Sequence, residues 1–116
     1  MKFNKLVRDR IPEIIEKNGQ VPITRLANSA EYWVKLKEKL QEEVSEFLEA
    51  ETDKHCQEEL VDILEVIHAM CELKGLKMDR LESLRRIKAV ERGGFIKRII
   101  LVETIERGQP DQNGVG

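Results

Sequence analysis

Apolar side chains recur at helical spacing along most of the chain. Between residues 30 and 51 they follow a period near 3.6 residues, which predicts a long amphipathic helix. The stretch from 53 to 74 predicts a second long helix, apolar nearly all round between Leu60 and Met70. A helix of that kind is buried on more than one side. Because only a short polar break separates them, the two helices predict an antiparallel hairpin.

Shorter elements are predicted on both sides of this hairpin. Residues 11–17 form a short helix, and Pro12 favours an irregular turn just before it. Residues 79–91 form another helix. Two segments rich in β-branched residues, 21–26 and 95–103, predict short strands that pair as a small ribbon.

The expected fold class is therefore all-α, with a helical-hairpin core and a minor two-stranded β ribbon. We predict a single domain over residues 1–107, followed by a disordered C-terminal tail over 108–116, which is low in hydrophobic residues. The apolar surface of the helix over 53–74 exceeds what one small chain covers. We therefore expect a homodimer or homotetramer that completes a four-helix bundle.

Composition adds an uneven charge distribution. Charged residues make up 36% of the 116, and the net charge is −2. Residues 31–65 hold twelve Asp and Glu against four Lys, whereas residues 74–98 hold nine Lys and Arg against three acidic residues. An acidic centre with basic margins is not typical of nucleic-acid-binding chains. It suits a site that binds cations at its centre and anions at its edges, although a plain charged helix surface remains an alternative.

No segment predicts a membrane protein or a secreted one. No apolar run approaches about 18 residues, and the first residues lack the apolar core of a signal peptide. We therefore expect a cytoplasmic protein without a membrane partner.

Two pairs of acidic residues carry the candidate chemistry. Glu43-x-x-Glu46 and Glu59-x-x-Asp62 each place two carboxylates on one helix face. Glu43 falls on the apolar stripe, and Asp62 lies within the most apolar stretch of the chain. An isolated carboxylate buried there costs several kcal/mol unless it is neutralised or coordinated. Converging carboxylates form the all-oxygen ligand set of Mg²⁺ or Mn²⁺, the alternative being two solvated acidic faces.

Together with two flanking motifs, these pairs resemble a known family. The opening segment Asn4–Pro12 (NKLVRDRIP) and the later segment Glu91–Phe95 (ERGGF) accompany the acidic pairs. This combination resembles the all-α nucleoside triphosphate pyrophosphohydrolases, in particular a MazG-like subgroup similar to phosphoribosyl-ATP pyrophosphohydrolase. The resemblance extends over about residues 3–103.

The resemblance implies a Mg²⁺-dependent nucleotide pyrophosphohydrolase. Such an enzyme cleaves the α–β phosphoanhydride of a nucleoside triphosphate, or of a related nucleotide such as phosphoribosyl-ATP, giving a monophosphate and pyrophosphate. The metal would clamp phosphate oxygens and lower the pKa of a bound water. It would be held by four carboxylates: Glu43, Glu46, Glu59 and Asp62. Glu42 or Glu46 would accept the proton of the water, and geometry must decide which.

Basic residues near both ends suit the same chemistry, because cations offset charge that develops on phosphates. Backbone N–H groups at two adjacent glycines could also approach a phosphate, although a helix C-cap explains them equally well. For each basic residue the alternative is a solvated side chain. The candidate phosphate- and substrate-binding residues are Lys5, Arg8, Lys88, Arg92, Gly93, Gly94, Lys97 and Arg98.

Two other functions remain open from the sequence. Glu65-x-x-His68 matches half of a carboxylate-bridged di-iron site, but His55 lacks the spacing to form a second half. A symmetric dimer would have to supply that half, and a core histidine is the simpler interpretation of His68. The other alternative is a non-enzymatic helical interaction module whose acidic residues only keep it soluble.

Overall fold

Four α-helices and no β-strand are found in the part of the chain that the computed structural model describes, residues 2–108. The helices are α1 (Ile11–Lys17), α2 (Ser29–Glu49), α3 (Asp53–Leu73) and α4 (Met78–Arg92). Each begins and ends within two residues of its predicted bounds. The all-α class is confirmed for these residues. None of the four helices has the length and hydropathy of a membrane-crossing segment.

By internal packing the chain divides into two compact units, one through Glu82 and one from Ser83 onward. The first contains α1, α2, α3 and the start of α4, and the second contains the rest of α4 and the coil that follows it. A single domain over residues 1–107 stays a prediction. Residues 109–116, most of the predicted disordered tail, lie outside the described residues.

The helical hairpin is the centre of the first unit. α2 packs against α3, and only Ala50–Thr52 connect them. The interface buries Leu36, which is 2% exposed, together with Val66 and Cys71. It also buries two acidic residues, Glu43 and Glu59, each only 6% exposed. The predicted burial of Glu43 is therefore confirmed, and Glu59 shares the same environment.

Local signals explain where the hairpin helices begin and end. The Asn28 side chain accepts a hydrogen bond from the backbone N–H of Glu31 at 2.9 Å, which begins α2. The Thr52 hydroxyl does the same for His55 at 3.1 Å, which begins α3. α3 ends where Gly75 adopts a φ of 67°, in the left-handed region that glycine enters without a steric penalty.

The predicted β ribbon does not form in the described residues, and this part of the predicted fold is corrected. Neither 21–26 nor 95–103 is a strand. Their side chains are open to solvent, with Ile23 and Phe95 each 97% exposed. An isolated two-stranded ribbon is marginal in water without a packed face, and Pro22 has no N–H to donate to a neighbouring strand.

The cap of α3 yields a stability prediction. Thr52→Ala removes the side-chain acceptor that caps the first turn of α3, so the free energy of unfolding should fall by about 1 kcal/mol. Urea denaturation followed by circular dichroism measures the loss. Thr52→Ser keeps the hydroxyl and should stay close to wild type. An unchanged midpoint for the alanine variant would show that the hydroxyl does not stabilise α3.

Candidate metal centre

Three carboxylates meet across the hairpin interface. Glu43 and Glu46 lie one turn apart on α2, and Glu59 faces them from α3. One oxygen from each lies within 4.8 Å of the others. Two helices joined by a three-residue link present these positions to each other, which explains why pairs twelve residues apart converge.

Two of these carboxylates are buried with an unsatisfied oxygen. Oε2 of Glu43 and Oε2 of Glu59 are inaccessible and have no hydrogen-bond partner. A buried charged acceptor without a partner is strongly unfavourable, so the folded chain retains it against a penalty of several kcal/mol. A hard divalent cation satisfies such oxygens directly, because Mg²⁺ and Mn²⁺ prefer all-oxygen ligand sets. The residues present therefore fit a metal of this class.

The pKa values of two of the three carboxyl groups are raised, because the groups are buried and lie close to one another. Burial, together with the neighbouring carboxyl groups of Glu59, Glu46 and Asp62, raises the pKa of Glu43 to about 7, whereas Lys39 opposes the shift. Loss of water contact also raises the pKa of Glu46, with a further contribution from Glu59. Carboxylates this close do not all ionise near neutral pH without a cation.

Asp62 lies beside this group rather than within it. Its Oδ1 accepts a hydrogen bond from Nη2 of Arg8 at 2.7 Å, and its side chain is 37% exposed. It does not belong to the set of three converging oxygens. Asp62 as a fourth ligand stays a prediction. The structure brings Arg8 to the edge of the site, and its predicted phosphate-binding role stays a prediction.

The N-terminal segment contributes a second cation. Nζ of Lys5 lies 3.5 Å from Oε1 of Glu42, and Nζ of Lys39 lies 3.4 Å from Oε2 of the same residue. Nζ of Lys35 donates to the backbone carbonyl of Asn4 at 2.9 Å, which ties the segment to α2. Both oxygens of Glu42 are therefore next to ammonium groups.

Two neighbours of the carboxylates were not singled out from the sequence. Nζ of Lys39 lies 3.5 Å from Oε1 of Glu43, and Nε2 of His55 lies 3.3 Å from Oε1 of Glu59. Each is four residues before its partner on the same helix. The four-residue spacing between a lysine or histidine and a glutamate was the available sequence signal for both contacts.

The remaining basic candidates lie in the unit that begins at Ser83. They follow one another along the second half of α4 and the coil after it, and all are exposed: Lys88, Arg92, Gly93, Gly94, Lys97 and Arg98. Gly93 adopts a φ of 81° and donates its N–H to the carbonyl of Ala89 at 2.8 Å, so it ends α4. A phosphate-binding role for this set stays a prediction.

The di-iron pattern is not assembled in the described residues. Glu65 and His68 are both exposed, and neither joins a group of three converging ligand atoms. The prediction of a buried core histidine at position 68 is wrong. The face of α3 that carries it is open in the described chain, whereas the sequence predicted that this helix would be covered on more than one side.

Comparisons with known proteins agree with this geometry. The sequence profile of the phosphoribosyl-ATP pyrophosphohydrolase family matches residues 2–86. An uncharacterized protein from Mycolicibacterium smegmatis (strain ATCC 700084 / mc(2)155) is 50% identical over 48 residues. That alignment covers 41% of this chain and 49% of the relative, so the chain spans about half the length of that protein. No solved structure gives a significant match.

The matched region contains α1, α2, α3 and the first half of α4, and with them all three converging carboxylates. It also contains the N-terminal segment with Arg8 and Lys5. Since the profile matches residues 2–86 of 116, the chain belongs to the phosphoribosyl-ATP pyrophosphohydrolase family.

Proposed function

We propose that this protein is a Mg²⁺-dependent nucleotide pyrophosphohydrolase. It cleaves the bond between the α- and β-phosphates of a nucleoside triphosphate, or of a related nucleotide such as phosphoribosyl-ATP, to a monophosphate and pyrophosphate. The observation that carries the proposal is the pair of buried, unpartnered oxygens of Glu43 and Glu59 beside Glu46. Membership of the family supports pyrophosphohydrolase activity in general.

In this proposal Glu43, Glu46 and Glu59 hold the cation, and Asp62 is the fourth ligand. The ion is Mg²⁺, with Mn²⁺ as a substitute of the same ligand preference. When bound, a divalent cation supplies Lewis-acid stabilisation of the negative charge on the phosphate oxygens. If the acidic residues only kept the protein soluble, they would lie on the surface. The burial of the unpartnered oxygens of Glu43 and Glu59 would then have no explanation.

Glu46 is the better choice of the two proposed proton acceptors. Both oxygens of Glu42 lie next to ammonium groups, which compete with the proton of a water molecule. Glu46 is exposed and has a raised pKa, which makes it the more basic carboxylate available to a water molecule. The water oxygen forms a bond to the α-phosphorus, its proton passes to Glu46, and the bond to the bridging oxygen breaks to release pyrophosphate.

Arg8 and Lys5 act as the cationic side of the site. A guanidinium carries five N–H donors, and Asp62 accepts from Nη2, so in this proposal the remaining donors of the half-exposed Arg8 bind phosphate oxygens. Lys5 adds a point charge close by. Fixed cations stabilise the charge that spreads over the phosphates during bond cleavage.

A second copy of the chain is part of the proposal. Leu60, Val61 and Leu64 form an apolar strip along α3, and each is more than half exposed. A contiguous apolar surface of this kind marks an association site in a globular protein. Two copies that pack α3 against α3 complete a four-helix bundle, as a homodimer or within a homotetramer.

A nucleotide panel tests the activity. With millimolar Mg²⁺ the protein should release pyrophosphate from at least one nucleoside triphosphate, and chelation should abolish the release. Glu59→Gln should lower kcat/KM about a hundredfold and remove the rise in Tm caused by Mg²⁺. Glu49→Gln, on the exposed side of α2, is the matched control. Equal turnover in chelator contradicts the mechanism, and absence of any turnover or Mg²⁺ response favours an interaction module.

The raised pKa of Glu43 predicts a pH dependence of stability in the metal-free protein. The folded state holds a proton on this group up to about pH 7, whereas the unfolded chain loses it near 4.5. Stability contributed by this proton is therefore complete below 4.5 and is lost as pH rises through 7. The loss is on the order of 3 kcal/mol.

Urea denaturation in chelator at pH 5 and pH 8 measures this effect. Glu43→Gln should remove most of the difference between the two pH values and stabilise the protein at pH 8, because an amide is never ionised. Glu49→Gln should behave as wild type. A wild-type protein that is equally stable at both pH values would argue against a crowded carboxylate cluster.

Light scattering during gel filtration tests the association. At micromolar concentration the protein should elute as a dimer or tetramer, and Leu64→Lys should shift it toward monomer by placing a charge in the apolar strip. A monomeric wild type would contradict this part of the proposal.

A further inference from the structure

The two buried carboxylates share one pattern of contacts. On Glu43, Nζ of Lys39 lies 3.5 Å from Oε1, and Oε2 is inaccessible and has no hydrogen-bond partner. On Glu59, Nε2 of His55 lies 3.3 Å from Oε1, and Oε2 is again buried without a partner. In both cases a nitrogen four residues earlier on the same helix approaches one oxygen of the carboxylate, while the other oxygen has no polar neighbour within the chain to bond.

The cap of α3 determines where His55 stands. Its backbone N–H donates to the Thr52 hydroxyl at 3.1 Å, which fixes the third residue of the helix. The four-residue spacing then puts its side chain on the same helix face as Glu59. The His55 side chain is 49% exposed, whereas that of Glu59 is 8% exposed. The imidazole is therefore half in water and has one nitrogen next to a buried carboxylate.

His55 is placed beside the converging ligand atoms rather than among them. In the described part of the chain, that group contains oxygens of Glu43, Glu46 and Glu59 and no nitrogen of His55. Mg²⁺ and Mn²⁺ also prefer oxygen ligands to imidazole. An effect of His55 on a bound cation would therefore pass through Glu59.

We propose that His55 is a positioning residue of the metal centre, whose Nε2–H donates to Oε1 of Glu59 and thereby presents Oε2 to the cation. The inference rests on the proposed function, because it needs a divalent cation at the converging carboxylates. A neutral imidazole supplies the N–H, so the role does not require a charged ring. The 3.3 Å separation is slightly longer than the limit of about 3.2 Å for a formed hydrogen bond, and a small rotation of the imidazole completes it.

The physical basis is the freedom of a carboxylate to turn about its last side-chain bond, for which the preferred angles are broad. A donor on one oxygen fixes the plane of the group and so fixes the direction of the other oxygen. Outer contacts of this kind contribute about ten- to a hundredfold to metal affinity in proteins.

A purely electrostatic influence of His55 predicts the opposite effect. A positive charge near the carboxylates repels a divalent cation, so removal of the charge should strengthen metal binding. Removal of a donor that orients Glu59 should weaken metal binding instead. The sign of the change in affinity therefore distinguishes the two roles.

An EPR titration of free Mn²⁺ with protein tests the inference without relying on turnover. His55→Ala should raise the Kd for Mn²⁺ by about tenfold. His55→Gln carries an amide N–H at a similar reach and should bring the Kd back to within about threefold of wild type. Lys54→Ala, the matched control, removes a positive charge at the neighbouring exposed position and should leave the Kd unchanged or lower it. Because alanine favours helix more than histidine does, α3 should keep its stability in chelator.

Two further measurements separate positioning from direct contact with the cation or the nucleotide. Pulsed EPR of the Mn²⁺ complex should show no directly coordinated nitrogen, and a nitrogen coupling that disappears in His55→Ala overturns the positioning role. At saturating Mg²⁺ the kcat of His55→Ala should return to within about twofold of wild type, since only occupancy of the metal site is reduced. A loss of kcat that persists at saturating Mg²⁺ also overturns it.

The outcomes separate this inference from the proposed function. Unchanged or tighter Mn²⁺ binding by His55→Ala, or no rescue by His55→Gln, overturns the positioning role and leaves the metal centre intact. Weakened and rescued binding without turnover of any nucleotide supports the positioning role and removes the enzyme proposal. A wild-type protein that does not bind Mn²⁺ overturns the metal centre, and the role of His55 with it.

Discussion

The packing of α2 on α3 sets the central constraint, because it forces acidic groups into an interface that is otherwise apolar. Glu43 and Glu59 are as buried as Val66 and Cys71, yet each retains an oxygen without a hydrogen-bond partner. A hairpin selected for stability alone would carry apolar residues at both positions. The chain instead tolerates a local penalty, which protonation of Glu43 relieves and which a coordinated cation would also relieve.

Much of this arrangement could be predicted from the sequence, because it depends on local periodicity. The apolar stripe, the caps at Asn28 and Thr52 and the three-residue acidic spacing fix the hairpin and put Glu43 on its inner face. Contacts between residues far apart in the sequence cannot be predicted from local periodicity. The pairing of Arg8 with Asp62 joins positions 54 apart, and no periodic signal specifies it. The exposed His68 and the missing ribbon both depend on which surfaces find a neighbour, a property that side-chain alternation within one segment does not determine.

The N-terminal segment turns an acidic helix surface into a site with both signs of charge. Its hydrogen bond from Lys35 to the carbonyl of Asn4 positions Lys5 beside Glu42 and brings Arg8 within reach of Asp62. Exposed ion pairs contribute little to stability, so these contacts are better understood as a means of holding cations next to the carboxylates. In the proposed function the carboxylates hold a divalent cation, and the cationic side chains offset the charge of the phosphate directly.

The hairpin also gives the site a direction. Because both helices run through the metal centre and line the cavity of about 1050 Å³ that adjoins it, a single register relates the carboxylates at Glu43 and Glu59 to the polar groups at Tyr32 and Glu72. The two ends are about three helical turns apart along the hairpin. A substitution at Tyr32 or Glu72 therefore alters the cavity wall at a distance from the three converging carboxylates.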